Sequence, residues 1–268
     1  MKPYDLSPVG NRIVHSCTSK SFSGLEAYVL DLVAWQYQHG LNVELFCRSG
    51  SELHARATQL GIPVWAIEAN AKPTPLLWLK LADGWRKRLR AQPVTLHMHA
   101  GGEPWFHLPW RSFAKTILHY HIWINHSKND PLHRALFYGI DEVWTSSETS
   151  RAHLATLLPI DRAAIRVVPY GRDTQKLRDI AKQSSRSEVR ARFGVPDTAV
   201  LAVCVSRIER IKGVAELFDA FVFAARQSAN AYLILVGNVS PENPEAEKLG
   251  QELQKKHAQL PIDIRKRL

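Results

Sequence analysis

Short apolar runs and longer helical patterns alternate along most of the chain. Strands followed by helices predict βαβ units and a parallel sheet, whose strands are apolar throughout because helices cover both faces. The predicted strands of the first part span residues 12–17, 42–47, 63–67, 94–99, 115–121, 141–146 and 164–171. The helical patterns between them span residues 24–40, 52–61, 76–92, 131–139 and 150–158.

The pattern is interrupted at residues 172–198, which are polar and charged and contain no predicted strand. Ser187 followed by Glu188 predicts the start of a short helix that ends near Gly194. We interpret this stretch as a linker between two domains.

A second α/β pattern follows the linker. Its predicted strands are residues 199–206 and 231–237, its predicted helices are residues 213–227 and 244–259, and the last nine residues form no complete element. We therefore expect an N-terminal Rossmann-like domain at 1–171, the linker at 172–198, and a partial second domain at 199–268, about half of a typical one.

Composition narrows the class of protein. No apolar run approaches the roughly 18 residues of a membrane span, and the first twelve residues lack the apolar core of a secretory signal. Cys17, Cys47 and Cys204 lie in apolar runs and form no CxxC pair, which favours reduced core thiols in a cytoplasmic protein. The net charge of +10 favours an anionic partner, namely a nucleic acid, an acidic membrane surface or a phosphorylated substrate.

The first strand–helix turn, CTSKSFSGLEAYV, offers an anion site at a helix N-terminus. Backbone N–H groups there attract anions, and Gly24 lets a ligand approach closely. The alternative is an ordinary loop in which Ser23 is the N-cap. The glycine patterns of nicotinamide dehydrogenases and P-loop enzymes are absent from the sequence.

Two His-x-His pairs, His97/His99 and His119/His121, end the fourth and fifth strands. Alternate residues of a strand share a face, so each pair places two imidazoles together. No carboxylate or cysteine accompanies them, so no metal site is assigned. They are better read as part of a ligand site at the carboxyl ends of the strands. For His97 and His119, burial with hydrogen bonds to loops is the alternative.

The helix WLKLADGWRKRLR at 78–90 combines an apolar stripe with many cations. A basic amphipathic helix with Trp can lie on an anionic bilayer, although such a stripe more often packs on the sheet. The aromatic residues of the loop at 103–110 cluster in apolar company, which argues against nucleic acid.

Two cations bracket the strand–helix turn of the second domain, in CVSRIERIKGVAELF. A diphosphate bound there would meet Arg207, Lys212 and the positive end of the helix that begins at Gly213. The alternative is a solvated loop in which Arg207 pairs with Glu209.

Together these segments resemble the family 4 retaining glycosyltransferases (glycosyltransferase group 1), which have a GT-B fold of two Rossmann-like domains. The most specific segments are VVPYGRD and the R-x-x-x-x-K-G spacing. The full matching set is SGLEAYVLDLVAWQYQHGLNVELF, VTLHMHA, ILHYH, DEVWTSSETSRAHL, IRVVPYGRD, VSRIERIKGVAELFDAF and YLILVG. The resemblance implies transfer of a sugar from a nucleotide-sugar to a glycan or lipid-linked acceptor, with retention and without a metal or other cofactor.

The resemblance also implies site residues. Arg207 and Lys212 would hold the donor diphosphate, with Gly24 beside the donor. The histidine near the donor sugar would be His121, as the catalytic residue. On the acceptor side the resemblance places Ser23 and, as a weaker candidate, His99.

This sequence departs from the family pattern in two places. Ser206 stands where the family usually has Gly. The family's pair of Glu residues separated by seven others is not found, and Glu245 and Glu252, which are separated by six residues on a surface helix, are not assigned to it. We therefore expect the 268-residue chain to be impaired or inactive in transfer.

Two other functions stay open. One is a non-catalytic module that binds a glycan or an anionic membrane surface, and the other is a sugar-nucleotide epimerase of related fold. For a transferase, the family implies synthesis of cell-envelope polysaccharide or glycolipid by a cytoplasmic protein, peripheral at the inner face of the membrane.

Overall fold

The structure, a computed structural model, describes residues 11–239 and 243–268. The first ten residues, in which no secretory signal is predicted, lie outside the described part. The chain divides into two units; the first ends at Arg172 and the second begins at Asp173. Each unit is described by itself.

The first unit is built on a seven-stranded parallel sheet, as the apolar runs predict. The strands are β1 (Arg12–Cys17), β2 (Val43–Arg48), β3 (Val64–Ile67), β4 (Val94–Met98), β5 (Lys115–Tyr120), β6 (Glu142–Thr145) and β7 (Ile165–Val167). Their order in the sheet is β3-β2-β1-β4-β5-β6-β7, so the order reverses between β1 and β4. Ligands of such open sheets bind beyond the carboxyl ends of the strands at this reversal.

Helices connect the strands of this unit, and its two hydrophobic clusters are built around β1–β2 and β4–β6. Among the residues described, no helix is long and apolar enough to cross a membrane. The three cysteines form no disulfide. The helices are α1 (Gly24–Gln38), α2 (Glu52–Gln59), α3 (Pro75–Ala91), α4 (Pro131–Phe137) and α5 (Glu148–Leu157).

The apolar stripe of the basic helix α3 packs into the core. Trp85 is fully buried and Leu81 nearly so. The indole N–H of Trp78 donates to the Trp105 carbonyl at 2.9 Å. The core interpretation of this stripe is therefore confirmed. Leu76 and Leu79, on the other side of the helix, remain exposed.

The second unit contains two parallel strands, β8 (Val200–Val205) and β9 (Ala231–Val236), with helices around them. Val200, Val203 and Val205 of β8 are more than half exposed. The helices are α6 (Thr174–Lys182), α7 (Arg186–Arg192), α8 (Val214–Gln227), α9 (Pro244–Gln259) and α10 (Ile262–Arg265).

Two sequence expectations in this unit are wrong. The cap of α7 is Ser185, whose hydroxyl accepts from the Glu188 N–H at 3.2 Å while the Glu188 carboxylate accepts from the Ser185 N–H at 2.7 Å. This is a capping box, and its spacing of three residues excludes Ser187. The last nine residues do form an element, because α10 buries Ile264 and the Arg267 carbonyl accepts from the Leu233 N–H at 2.9 Å.

Candidate functional site

Five histidines lie together at the point where the order of the first sheet reverses. They come from three neighbouring strands and the residues just after them, namely His15, His97, His99, His119 and His121. The two predicted pairs meet each other, since the rings of His99 and His121 are 5.4 Å apart and those of His97 and His119 are 5.5 Å apart. His15, a lone histidine in an apolar strand, was not predicted as a site residue, and the pairing of β1 with β4 sets it opposite His97.

Hydrogen bonds join three of these rings into one chain. Gln36 Oε1 lies 2.7 Å from His15 Nε2, and His15 Nδ1 lies 3.0 Å from His99 Nε2. His99 Nδ1 lies 3.2 Å from His121 Nε2, and the Tyr170 hydroxyl lies 3.0 Å from His121 Nδ1. Tyr170 belongs to the motif VVPYGRD, so the fold brings the most specific segment of the first unit to the histidines.

Burial keeps these imidazoles uncharged at neutral pH. It lowers the pKa of His15 and His121 to about 4 and that of His119 to about 3. The pKa values of His97 and His99 also lie well below the usual range, first because of burial and then because of neighbouring histidines. The cluster therefore offers lone pairs and N–H donors, and no positive charge.

Three imidazole nitrogens of the cluster are buried without a hydrogen-bond partner among the described residues. They are Nε2 of His97 and both ring nitrogens of His119. Buried polar atoms of this kind are rare in proteins, because each loses its hydrogen bond to water without a replacement. The sequence left open that His97 and His119 are buried and hydrogen-bonded to loops. Both side chains are buried, but these three nitrogens form no such hydrogen bond with a described residue.

The start of α1 lies beside the histidines. The Ser23 N–H and hydroxyl both donate to Glu26 Oε2, at 2.7 and 2.8 Å, so Ser23 occupies the N-cap position. Gly24 is the first residue of the helix, and a Cβ placed on it would meet nothing within 4 Å. One turn later, the Tyr28 ring lies 5.4 Å from that of His121 and 4.7 Å from that of Tyr170.

A buried carboxylate fixes the loop between β1 and α1. Glu103 accepts from the Ser16 hydroxyl at 2.5 Å, the Thr18 N–H at 2.7 Å and the Thr18 hydroxyl at 2.8 Å. Burial raises the pKa of Glu103, and these hydrogen bonds oppose the increase. His107 Nε2 lies 2.8 Å from the same Ser16 hydroxyl. In the sequence the loop at 103–110 stands out only for its aromatic residues, and Glu103 was not predicted to have a structural role.

The predicted diphosphate turn lies in the second unit. The guanidinium of Arg207 pairs with Glu209 at 3.0 Å, as the sequence alternative anticipated. Lys212 is exposed and forms no ion pair with a described residue. Gly213 follows with φ of +68°, a left-handed conformation that glycine adopts without strain, and α8 begins after it.

Gly237, at the end of β9, supports this turn and was missed by the sequence analysis. A Cβ on Gly237 would lie 1.8 Å from the Ser206 carbonyl oxygen, so the two strand ends touch backbone to backbone. The Ser206 N–H donates to Val236 and the Ile208 N–H to Asn238, at 3.0 and 3.1 Å. The residues on both sides of Arg207 are therefore held by the end of β9.

Residues 22–176 match the family model Glycosyltransferase Family 4, which is more than half of the chain. The chain belongs to glycosyltransferase family 4. The matched region includes α1, the predicted His-x-His pairs and the VVPYGRD segment. No match to a curated protein sequence was found.

Solved structures agree with this assignment at the level of the fold. Anabaena Alr3699/HepE in complex with UDP and glucose is 16% identical with a TM-score of 0.68, and the match covers 95% of this chain and 71% of that one. A glycosyltransferase from Rickettsia africae ESF-5 is 16% identical with a TM-score of 0.68, covering 92% and 65%. A UDP-GlcNAc 2-epimerase from Methanocaldococcus jannaschii is 12% identical with a TM-score of 0.54, covering 93% and 70%.

The predicted fold class is thereby confirmed: this family 4 glycosyltransferase is an α/β protein of the GT-B type, with Rossmann-like parallel sheets. Family and fold together support glycosyl transfer as its general activity.

Proposed function

We propose that this chain belongs to an enzyme that transfers a sugar from a nucleotide-sugar donor to a glycan or lipid-linked acceptor, with retention of anomeric configuration. Transfer by the 268-residue chain itself is expected to be impaired, because the family's pair of Glu residues is not found in it. The observation that carries the proposal is the match of residues 22–176 to the family. Within the matched region the Tyr170 hydroxyl lies 3.0 Å from His121 Nδ1, and Gly24 at the start of α1 faces open space. Structures of Anabaena HepE with UDP and with UDP-glucose support a uridine nucleotide-sugar as the first donor to test.

In this proposal Arg207 and Lys212 bind the donor diphosphate. Lys212 is free of ion pairs within the described residues, whereas Arg207 would exchange its partner Glu209 for phosphate. The N-terminus of α8, a helix of 14 residues, adds a favourable dipole. As the bond to the sugar breaks, negative charge grows on the leaving nucleotide, and fixed cations stabilise that charge.

The proposed role of His121 follows from its charge state. Burial lowers its pKa to about 4, so the ring is neutral, and the donor sugar would replace one of its two present hydrogen-bond partners, Tyr170 or His99. His99 is fully buried, so we place its acceptor-side role behind His121, as a positioning residue. Ser23 and Gly24 would contribute the exposed helix start next to the substrates.

The donor part of the proposal is tested by titrating UDP, GDP and ADP sugars into the protein by calorimetry. Arg207→Gln and Lys212→Gln are each expected to weaken binding by roughly 10- to 100-fold, the effect of losing one charge-assisted hydrogen bond of about 1.5–3 kcal/mol. Arg226→Gln, at the other end of α8, is the matched control and is expected to bind normally. Equal binding by all three variants would refute the assigned diphosphate site.

A second candidate function, binding to an anionic membrane surface without catalysis, is favoured by α3. Leu76 and Leu79 are 64% and 73% exposed, and Lys80 lies on the same side of the helix. The same surface would hold a transferase at the inner face of the membrane, as envelope polysaccharide or glycolipid synthesis requires. Membrane binding without any response to nucleotide-sugars would favour the module over the enzyme.

A further inference from the structure

The histidine cluster contains two sets of three imidazoles with the spacing of metal ligands. In each set, one ring nitrogen per residue lies within 4.8 Å of the others. The first set is His15, His97 and His99, and the second is His99, His119 and His121. The first is enclosed, and both ring nitrogens of His15 are already engaged by Gln36 and His99. The second reaches the surface through half-buried His121.

Within the described part of the chain, the first set contains one unpartnered ring nitrogen, Nε2 of His97, and the second set contains two, both on His119. Both ring nitrogens of His119 are buried without a hydrogen bond to any described residue. A neutral imidazole always carries one ring nitrogen with a lone pair, and that lone pair can be donated to a metal ion. A bound cation would therefore satisfy an atom that the protein itself leaves unsatisfied.

The distance between the other two ligands fits a metal. His99 Nδ1 and His121 Nε2 are 3.2 Å apart. Two nitrogens bound tetrahedrally to Zn²⁺ at about 2.0–2.1 Å are about 3.3 Å from each other. Both nitrogens can then present lone pairs to one ion, with no proton between them.

The remaining nitrogens of these two rings have the partners that metal-bound histidines need. His99 Nε2–H can donate to His15 Nδ1, 3.0 Å away, and His121 Nδ1–H can donate to the Tyr170 hydroxyl, also 3.0 Å away. Such outer hydrogen bonds fix the tautomer and orient the ring toward the metal.

We propose that His99, His119 and His121 bind one divalent transition-metal ion of the zinc class. Imidazole nitrogens suit Zn²⁺, Co²⁺ and Ni²⁺, whereas Mg²⁺ and Ca²⁺ prefer oxygen ligands. Three histidines without a carboxylate or cysteine are sufficient, as the zinc site of carbonic anhydrase shows, and they leave a fourth position for water or a ligand oxygen. This inference goes beyond the proposed function, because the transfer proposed above uses no metal. A bound ion would occupy Nε2 of His121 while Nδ1 pairs with Tyr170, so metal binding and the proposed contact of His121 with the donor sugar are alternative states of the same ring.

The test is metal uptake by the full chain, purified without a histidine tag and stripped with a chelator. After dialysis against micromolar Zn²⁺, elemental analysis should find one ion per chain, and Mg²⁺ should not be retained. Co²⁺ should give the visible absorption bands of a tetrahedral site, which report the geometry directly. Because no sugar nucleotide is used, this result is independent of whether the proposed function is correct.

Three variants locate the site. His119→Gln and His121→Gln should each weaken Zn²⁺ binding by at least about tenfold, and Tyr170→Phe by about 10- to 100-fold as the loss of an outer-shell partner. His126→Gln removes an exposed imidazole and should bind like the unmodified chain. Far-ultraviolet circular dichroism checks that each variant folds. If the His119 variant does not fold, the His121→Gln variant still tests the site, because His121 is only half-buried. No stoichiometric uptake, or normal uptake by a folded His121→Gln protein, would overturn the proposal.

Discussion

Two glycines at strand–helix turns face different surroundings. At Gly24 a side chain would point into open space, whereas at Gly237 it would lie inside the Ser206 carbonyl. The sequence identifies Gly24 as a turn residue and places Gly237 only at the end of a predicted strand, and the structure shows that Gly237 is the one required by the fold. A glycine kept in open space is instead consistent with a ligand that approaches the backbone.

We predict that Gly24→Ala leaves stability unchanged within about 0.5 kcal/mol, because the new methyl group meets no atom. Nucleotide-sugar affinity should nevertheless fall if the donor lies against the start of α1. Thermal unfolding and calorimetry measure the two effects separately. Equal affinity in the variant would remove Gly24 from the donor site.

Gly237→Ala, in contrast, should destabilise the second unit by about 2 kcal/mol or more, since backbone atoms must move to admit the Cβ. Hydrogen exchange should show loss of protection in the amides of β8 and β9. A protein with unchanged protection there would contradict the close approach of the two strand ends.

Protonation of buried His107 should make stability depend on pH. Burial lowers its pKa from 6.5 to about 3, so between these values the unfolded chain binds a proton that the folded chain does not. The contribution of His107 to the free energy of unfolding is therefore complete above pH about 6.5. It is lost as the pH falls toward 3, at up to about 1.4 kcal/mol per pH unit.

His107→Gln keeps a polar group near Ser16 but does not titrate. Denaturant unfolding at several pH values should therefore show a smaller loss of stability on acidification than in the unmodified protein. Both proteins contain Glu103, whose raised pKa makes stability change with pH in the opposite direction. The difference between the two pH profiles of stability therefore reports His107 alone. Parallel pH profiles would contradict this assignment.

At the scale of elements, hydrophobic periodicity predicted nearly every strand and helix to within one or two residues. The apolar runs are long enough that few other structures could bury them. The pattern failed at α10, a helix of four residues too short to show a period, and at the cap of α7, where two serines compete for one position. It also missed α6, a polar helix that buries no residue, and it extended β7 to residue 171 although the strand ends at Val167. Periodicity also cannot show which polar residues are drawn into the interior, so His15 and Glu103 were missed.

The loop between β1 and α1 is an element that depends on one distant residue. Glu103→Gln replaces an acceptor of three hydrogen bonds by a group with one acceptor oxygen, which should cost about 1–3 kcal/mol. Amides of residues 18–23 should exchange faster with solvent. Glu148→Gln, which removes a surface ion pair of α5 with Arg151, is the control and should leave these amides unchanged.

At the scale of the whole molecule, the family could be predicted from the sequence because its motifs lie at fixed places in the α/β order. The arrangement of the histidines could not, since it depends on β1 lying next to β4 across more than 75 residues of chain. Arg207 and Lys212 of the second unit were assigned to the donor diphosphate through the family resemblance, because their turn considered alone is equally explained by a solvated loop. Their use in donor binding remains a prediction.

The net charge of +10 and the exposed leucines of α3 predict membrane binding. The protein should co-sediment with vesicles containing anionic lipid, less at high salt because exposed charges are screened. Leu79→Ser should weaken binding at every salt concentration, because it removes apolar side-chain area that the bilayer would bury. Leu60→Ser, on another exposed surface, is the control. Equal binding by both variants would exclude α3 as the contact.

A nucleotide diphosphate is proposed to bind at the turn from Arg207 to Gly213. The most direct measurement is a titration of the isotope-labelled protein with UDP-glucose, followed by amide nuclear magnetic resonance. The predicted result is saturable shifts at the amides of residues 207–213 that disappear in Lys212→Gln. Saturable shifts that avoid this turn, or that persist unchanged in the variant, would contradict the account.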